Sequence, residues 1–293
     1  MATKAYAQVY SLIRQDRSPG ALYNALPKFS KMGYDGVETC GANTAGLSLP
    51  DFKKYLEDLN LELISAMTNG TPEEVEYVAF LGGKFNALNY NYKDMSRDEI
   101  LRVCDDVNAK AEIAKKAGLI TLLHNHAHEF GPVTGGPEGI TPYDLLLQNL
   151  NPDTVGMEFD VGWAQFAGFD PAEVVKKNSG RFYIIHVKEC NRVAKDAEEM
   201  EHFPRKVLEL GPPKIINGAP KFLPEQERLM YESRNFNVEL GNGLIDWAAL
   251  TAAAKGQGHP VYFVNEREYY HAYGANGNEE ICAQKDCEFI HAL

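Results

Sequence analysis

Short apolar runs alternate with amphipathic stretches along most of this chain. The apolar runs are as long as strands, and the stretches between them carry apolar residues at helical spacing. Parallel βα units with right-handed crossovers produce this alternation. The runs that we predict as strands are residues 5–13, 34–39, 61–66, 85–90, 120–125, 155–160, 182–187 and 261–266.

Helix start signals support this interpretation. Thr71 stands three residues before Glu74, and Ser96 stands three residues before Glu99, which predicts a capping box at each helix start. Eight βα units close naturally into a barrel, whereas an open doubly wound sheet would need a glycine-rich turn after its first strand, and residues 11–14 are not one. We therefore predict an α/β fold of the (β/α)8 TIM-barrel class.

One connection breaks the alternation. The length of 293 residues suits a single barrel domain over residues 1–293, but the segment at about 190–242, after the seventh strand, is far longer than an ordinary βα connection. Because it follows a barrel strand, it should lie at the C-terminal face of the barrel. It is interpreted either as a lid or specificity loop, or as a solvated excursion.

Charge and cysteine content restrict the classes of partner. The chain has 41 acidic and 29 basic residues and a formal net charge of −12, which opposes binding to nucleic acid and to anionic membranes. Its five cysteines form neither a CxxC zinc pattern nor a secreted disulfide framework. No stretch has the roughly 20 apolar residues of a membrane span, and the N-terminus is a poor signal peptide. We expect a cytoplasmic protein that binds neither nucleic acid nor a membrane.

Carboxylate and imidazole groups occur at the ends of four consecutive predicted strands. Glu129 follows the fifth strand, Asp160 ends the sixth, His186 lies near the end of the seventh and Glu266 ends the eighth. Catalytic groups of such barrels come from the C-terminal ends of different strands, so these side chains should meet. Three carboxylates and one imidazole suit Mn²⁺, Mg²⁺ or Co²⁺, which makes these four residues the predicted metal ligands.

Other polar residues adjoin this predicted metal site. His124 and His126 would share a face of an extended strand and point into the barrel mouth, as a general base or as supporting hydrogen-bond partners. Lys188 is a candidate partner for an oxyanion, or a surface salt-bridge residue. Glu38 is a candidate for the pocket lining, and Trp163 for an apolar wall of the pocket or for the core.

The chemistry that this site favours is removal of a proton next to a carbonyl. A divalent ion would polarise the carbonyl and stabilise the enediolate as it forms. Glu129 and Glu266, facing each other across the substrate, would take and return the proton, with pKa values separated by burial and mutual repulsion. The bound substrate is expected to be neutral, or to chelate the ion through two oxygens.

Taken together, these residues resemble the sugar phosphate isomerase/epimerase family, a xylose isomerase-like barrel. The resemblance implies a divalent metal, commonly Mn²⁺, held by Glu129, Asp160, His186 and Glu266, and a homo-oligomer or a complex with another chain. The segments that carry it run through nearly the whole chain: residues 8–12, 33–38, 124–126, 129–130, 160–163, 167–171, 186–189, 241–247 and 264–266.

Two departures from the family pattern leave the substrate open. The usual His-x-Lys-Asp motif here reads His186-Val187-Lys188-Glu189, and the connection after it is unusually long. The family includes ketose epimerases, inosose dehydratases and metal-dependent enzymes that cleave 3-oxo-glycosides, including C-glycosides. The resemblance thus implies a small sugar or sugar derivative as the ligand.

Four functions follow as hypotheses. The first is a metal-dependent sugar isomerase or epimerase, and its alternative is a metal-dependent lyase or dehydratase that eliminates water or an aglycone from a keto-sugar, with a histidine of residues 124–128 as the base. A DNA-repair nuclease on the same barrel needs a basic groove, which a net charge of −12 disfavours. A non-catalytic sugar-binding subunit would have no need of four metal ligands.

Overall fold

The strands of the described residues form one closed parallel barrel and one separate hairpin. The computed structural model describes residues 3–201, 203–267 and 278–293. Strands β1 to β7 pair with their neighbours in chain order, and β10 closes the barrel between β7 and β1, whereas β8 and β9 form an antiparallel hairpin. The strands are β1 (Ala5–Gln8), β2 (Gly36–Cys40), β3 (Glu62–Thr68), β4 (Phe85–Leu88), β5 (Ile120–His124), β6 (Val155–Asp160), β7 (Phe182–Val187), β8 (Lys214–Ile216), β9 (Ala219–Lys221) and β10 (Tyr262–Asn265). The predicted TIM-barrel class is confirmed.

The helices between the barrel strands begin where the capping signals predict. Thr71 and Ser96 each accept a hydrogen bond from a backbone N–H three residues later, and Glu74 and Glu99 bond back to complete both capping boxes. None of the described helices has both the length and the apolar character needed to cross a bilayer. The helices are α1 (Tyr10–Ile13), α2 (Pro19–Met32), α3 (Leu49–Asp58), α4 (Pro72–Phe80), α5 (Arg97–Lys116), a 3₁₀ turn (His128–Phe130), α6 (Pro142–Asn149), α7 (Val161–Phe166), α8 (Pro171–Lys177), α9 (Arg205–Glu209), α10 (Pro224–Ser233), α11 (Trp247–Lys255) and α12 (Glu279–His291).

The first strand is shorter than the predicted run of residues 5–13. It ends at Gln8, and the chain turns directly into α1 with Val9 already in helical conformation. The side-chain oxygen of Gln8 accepts a hydrogen bond from the Tyr10 N–H at 2.7 Å, which stabilises this turn. The apolar run therefore spans a strand and a short helix, a boundary that periodicity alone does not show.

The two ends of the barrel interior differ in character. Apolar side chains from most of the barrel strands, including Tyr6, Phe85, Leu122 and Ile184, fill one part of the interior. Buried polar side chains occupy the C-terminal ends of the strands instead. This polar layer positions the candidate site.

The long connection after β7 is folded rather than extended. It contains α9, the β8–β9 hairpin and α10, and we call residues 190–242 the insertion. Arg14, just past α1, pairs with Glu227 of α10 at 2.8 Å. The backbone N–H of Arg17 donates to the carbonyl of Asn217 in the hairpin turn at 3.2 Å, and Lys221 bonds to the carbonyl of Gln15. The insertion thus packs over the connection between α1 and α2.

Candidate metal centre

Four potential metal donors from four neighbouring strands meet at the C-terminal end of the barrel. His124 ends β5, Asp160 ends β6, His186 is the penultimate residue of β7 and Glu266 follows β10. Each offers one ligand atom, and these atoms lie within 4.8 Å of one another. We call these four residues the donor group. Three of its members match the predicted ligands.

Glu129, the remaining predicted ligand, is not part of the donor group. It lies in the 3₁₀ turn after β5, where its Oε2 accepts a hydrogen bond from the His126 N–H at 2.9 Å and its Oε1 lies 3.5 Å from His128 Nε2. Burial, with a further contribution from the charge of Asp160, raises the pKa of Glu129 to about 8. His124 thus lies in the donor group and the predicted ligand Glu129 lies outside it, because the strand still holds His124 whereas the chain has turned away at Glu129.

His124 is a neutral imidazole in this setting. Its Nδ1 lies 3.0 Å from Glu158 Oε1, and its side chain is almost fully buried. Burial, followed by the neighbouring charge of His186, lowers the pKa of His124 to about 4. An imidazole that stays unprotonated near neutral pH keeps the lone pair that metal binding requires.

His186 lies among three carboxyl groups. Its Nε2 is 3.2 Å from both Glu38 Oε1 and Glu158 Oε1, and its Nδ1 is 3.3 Å from Glu266 Oε2. Burial alone would lower the pKa of His186, but the charges of Glu158 and Glu38 outweigh burial and raise it well above its usual value. Three carboxyl groups around the His186 ring strongly stabilise positive charge at this position.

Lys188 is an internal partner of the donor group. Its Nζ lies 2.8 Å from Asp160 Oδ2 and 3.1 Å from Glu266 Oε2, and 5.1 Å from the centre of the Trp163 ring. Burial raises the pKa of Asp160 to about 6, against the opposing charge of Lys188. Burial also acts to raise the pKa of Glu266, but Lys188 and His186 together hold it well below its usual value. Glu266 is therefore ionised near neutral pH.

The three residues predicted to contact substrate do not line the cavity at this end of the barrel. Glu38, Trp163 and Lys188 are all fully buried behind the donor group. Glu38 accepts hydrogen bonds from Gln8 Nε2, at 3.1 Å, and from Ser65. Their polar contacts run instead to the donor group: Glu38 to His186, Lys188 to Asp160, and the Trp163 N–H to Asp160.

A cavity of about 480 Å³ opens above the donor group. Its wall includes His124 and Glu266 of the donor group and also His126, so the two histidines predicted to point into the barrel mouth both reach it. Arg17 and Gly218 lie on the same wall, the latter from the insertion. A small polar ligand in this cavity would contact donor atoms directly.

Two important residues were not among the predicted site residues. Glu158 lies two residues before Asp160, so the period of two in β6 puts both carboxyls inside the barrel, and this spacing was a usable signal. Glu189 accepts hydrogen bonds from Cys190, Gly241, Ile245 and Trp247, as described below. No sequence signal identifies those partners.

The donor set fits a divalent transition metal. Two imidazole nitrogens and two carboxylate oxygens converge in a buried setting. Asp160 Oδ2 is buried and, within the described residues, makes no hydrogen bond, although Lys188 Nζ lies 2.8 Å from it and is shared with Glu266. A divalent ion at this oxygen would complete its surroundings.

Comparisons with known proteins agree with this architecture. A family model described as xylose isomerase-like TIM barrel matches residues 26–293. The inosose dehydratase of Lacticaseibacillus casei is 23% identical over 171 residues, which are 58% of this chain and 48% of that protein. The chain thus spans about half the length, or less, of the curated relatives that it matches.

Solved structures show the same fold. A sugar phosphate isomerase/epimerase from Parabacteroides distasonis superposes with a TM-score of 0.69 at 20% identity, over 100% of this chain and 95% of that one. The IolI protein, solved with a bound zinc atom, superposes with a TM-score of 0.65 at 16% identity, over 99% of this chain and 95% of that one.

Proposed function

Because the chain belongs to the xylose isomerase-like TIM barrel family, we propose that it is a metal-dependent enzyme that removes a proton next to the carbonyl of a sugar or cyclitol derivative. The observation that carries this proposal is the donor group on the wall of the cavity, where His124 and Glu266 are both accessible to a ligand. Relatives of this chain that act on a keto-cyclitol, the inosose dehydratases, support the class of reaction.

His124, Asp160, His186 and Glu266 would hold the metal ion. Two imidazoles and two carboxylates make the group softer than the one imidazole and three carboxylates of the original prediction, so we propose Zn²⁺, Co²⁺ or Mn²⁺ in preference to Mg²⁺. When bound, such an ion would polarise a carbonyl and an adjacent hydroxyl.

The residues of the chain supply the proton transfers. Glu266 is ionised and lines the cavity, so one of its carboxylate oxygens would accept the proton from the carbon next to the carbonyl. Lys188, bonded to Glu266 and Asp160, keeps both carboxylates oriented. His126 lines the same cavity outside the donor group, so its ring would donate a proton to a leaving oxygen.

We propose elimination as the outcome. Besides His124, which belongs to the donor group, the cavity wall carries one further imidazole, His126, together with one carboxylate, Glu266, and Glu129 is not on it. In an elimination the C–H electrons form the C=C bond as the β C–O bond breaks. The departing oxygen leaves as water or as an aglycone alcohol after taking the proton of His126.

The second candidate is epimerisation, favoured by the presence of two acid–base groups in one cavity. Glu266 would then take the proton from one face of the carbon, and His126 would return one to the other. Incubation of keto-sugars and inososes in D₂O separates the two. Loss of a β-substituent supports elimination, and deuterium in an epimer of the substrate supports epimerisation.

The test of the proposed base is Glu266→Gln, a nearly isosteric change. We expect turnover of the active keto substrate to fall by about 10³-fold, because the amide cannot accept the proton. Glu112→Gln, on the exposed surface of α5, is the matched control and should keep full activity. Near-normal turnover in Glu266→Gln would reject the assigned role.

A further inference from the structure

The cavity wall carries a cationic side chain that the proposed chemistry does not use. Arg17 lies between α1 and α2, and its guanidinium carbon is 4.8 Å from the centre of the Tyr10 ring. Both residues line the cavity above the donor group. Stacking on the aromatic ring fixes the plane of the guanidinium.

This guanidinium has no acidic partner within the described part of the chain. The Nε of Arg17 is buried and makes no hydrogen bond there, and no described carboxylate lies at ion-pair distance from it. Two nearby cations do have carboxylate partners: Arg14 pairs with Glu227, and Lys188 pairs with Asp160 and Glu266. A guanidinium on a cavity wall that lacks a counterion among the described residues is suited to a ligand that supplies the negative charge.

The backbone of Arg17 is held by its surroundings. Its N–H donates to the Asn217 carbonyl at 3.2 Å, and its own carbonyl accepts from Asn43 Nδ2 at 3.4 Å. Gly218, in left-handed conformation at φ 72°, lies so close that an added Cβ would be 3.6 Å from the Cβ of Arg17. The hairpin of the insertion thus sets the position of Arg17.

We propose that Arg17 binds an anionic group, a carboxylate or a phosphate, on the substrate whose carbonyl end reaches the donor group. This inference rests on the proposed function and narrows it to acidic or phosphorylated keto-sugars or cyclitols. This proposal differs from the expectation of a neutral substrate. The part of the substrate that contacts the donor group is neutral, and the anionic group lies at another position on the same molecule. The planar fork of Arg17 would hold two anion oxygens at once.

The negative charge of the protein disfavours an anionic ligand unless a cation faces that ligand. The chain carries a net charge of −12, and Glu266 lines the cavity as a carboxylate. Repulsion from these groups would weaken the binding of any anion that found no cation. Arg17 offsets that repulsion at one place and thereby selects where the anion lies.

The test uses three probes that differ in one group: D-glucitol, D-gluconate and D-glucitol 6-phosphate. Their dissociation constants would be measured by titration calorimetry on the metal-loaded full chain. We expect one anionic probe to bind the wild type at least about tenfold more tightly than glucitol. Which of the two does so distinguishes a carboxylate from a phosphate.

Variants locate the effect. Arg17→Met should remove the preference while leaving glucitol binding unchanged, and Arg17→Lys, which keeps the charge but not the fork, should retain part of it. Arg205→Met, an exposed arginine of α9, is the control and should bind as the wild type does. A preference that survives in Arg17→Met, equal binding of all probes, or no binding of any probe by the wild type would overturn the proposal.

The outcomes separate this inference from the proposed function. If Arg17 is not an anion site, neutral keto-sugars remain substrates and the effect of Glu266→Gln on turnover persists. If the proposed function fails, Glu266→Gln retains turnover, whereas the dependence of anion binding on Arg17 is still measurable.

Discussion

A ligand from the region of the fifth strand was predicted, and Glu129 was the residue named. In the structure His124 lies in the donor group, whereas Glu129 lies outside it. The physical cause is local: side chains alternate along β5, so its last residue, His124, points into the barrel. Glu129 follows after the chain has entered a 3₁₀ turn, and its carboxyl bonds back to the His126 N–H. The exchange replaces an oxygen donor by a nitrogen donor and so alters the expected metal preference.

The proposed ligand set predicts different effects on metal content for substitutions of His124 and of Glu129. His124→Ala should lose the bound metal, because it removes a donor atom, whereas Glu129→Gln should retain about one ion per chain. Metal content after chelation and reloading would be measured by mass spectrometry, with His259→Ala, which stacks on Tyr183 outside the donor group, as the control. Loss of metal from Glu129→Gln with retention in His124→Ala would restore the original prediction.

The raised pKa of Glu129 predicts that the free energy of unfolding depends on pH. Its pKa is about 8 in the folded chain against a usual 4.5, so the folded state holds this proton while the unfolded state has released it. The contribution of Glu129 to the free energy of unfolding therefore falls as the pH rises from about 4.5 to 8. Glu129→Gln lacks this loss of stability. Its free energy of unfolding should therefore gain roughly 3 to 4 kcal/mol relative to the wild type between about pH 5 and pH 8.

Urea unfolding of the chelator-treated proteins at several pH values would measure this difference. Glu112→Gln, exposed on α5, should show a constant difference from the wild type. A constant difference for Glu129→Gln as well would mean that the Glu129 carboxyl is already ionised in the folded chain.

The connection between β7 and α11 is organised around Glu189, the residue that departs from the family motif. Its Oε1 accepts hydrogen bonds from the N–H groups of Cys190 and Ile245, at 3.0 and 3.3 Å. Its Oε2 accepts from the Gly241 N–H at 2.9 Å and from Trp247 Nε1 at 2.7 Å. A buried carboxylate with four donors is well satisfied, and it ties the end of the insertion to the strand that carries the donor group.

Gly243 allows this close packing, because an added Cβ would lie 2.3 Å from Glu189 Oε1 and 2.4 Å from the Cys190 carbonyl oxygen. Gly243→Ala should therefore lower the free energy of unfolding by about 2 kcal/mol, since the backbone must move apart. Gly20→Ala is the matched control: Gly20 lies in α2 with nothing within 4 Å of an added Cβ, so its change should be neutral or slightly stabilising. Thermal unfolding of both variants would test this, and equal stability would contradict it.

The insertion and the barrel are joined by contacts at the α1–α2 connection. Glu227 of α10 accepts from Arg14 Nη1 at 2.8 Å and from Gln15 Nε2 at 2.9 Å, and the Arg14 side chain is only 11% exposed. A partly buried, shared carboxylate contributes more than an exposed pair. These contacts keep the hairpin, and with it Gly218, on the cavity wall.

Glu227→Gln should loosen this docking. We expect limited proteolysis within residues 190–242 to accelerate several-fold, because local opening becomes easier while the barrel itself is unaffected. The control is Glu225→Gln, whose carboxylate pairs with Arg228 on the exposed surface of the same helix. Equal cleavage rates for the two variants would show that the Arg14 contact does not hold the insertion.

Much of the architecture is encoded locally and was predictable from the sequence. The alternation of apolar runs and amphipathic stretches indicates the barrel, and capping boxes at Thr71 and Ser96 mark helix starts. Asp160, His186 and Glu266 were identifiable because parallel strands put their C-terminal ends at one face. Each of these signals depends on a few residues that are close together in the sequence, so the sequence alone is enough to identify it.

Only the tertiary structure decided which side chains meet. Closure of the barrel puts His124, Glu158 and His186 within hydrogen-bond distance, and it buries Lys188 where a surface salt bridge was the alternative. The fold of the insertion sets Arg17 beside the cavity through residues 200 positions away in the chain, near Asn217. Such contacts depend on backbone turns and on packing between distant segments, and neither periodicity nor spacing along the chain carries that information.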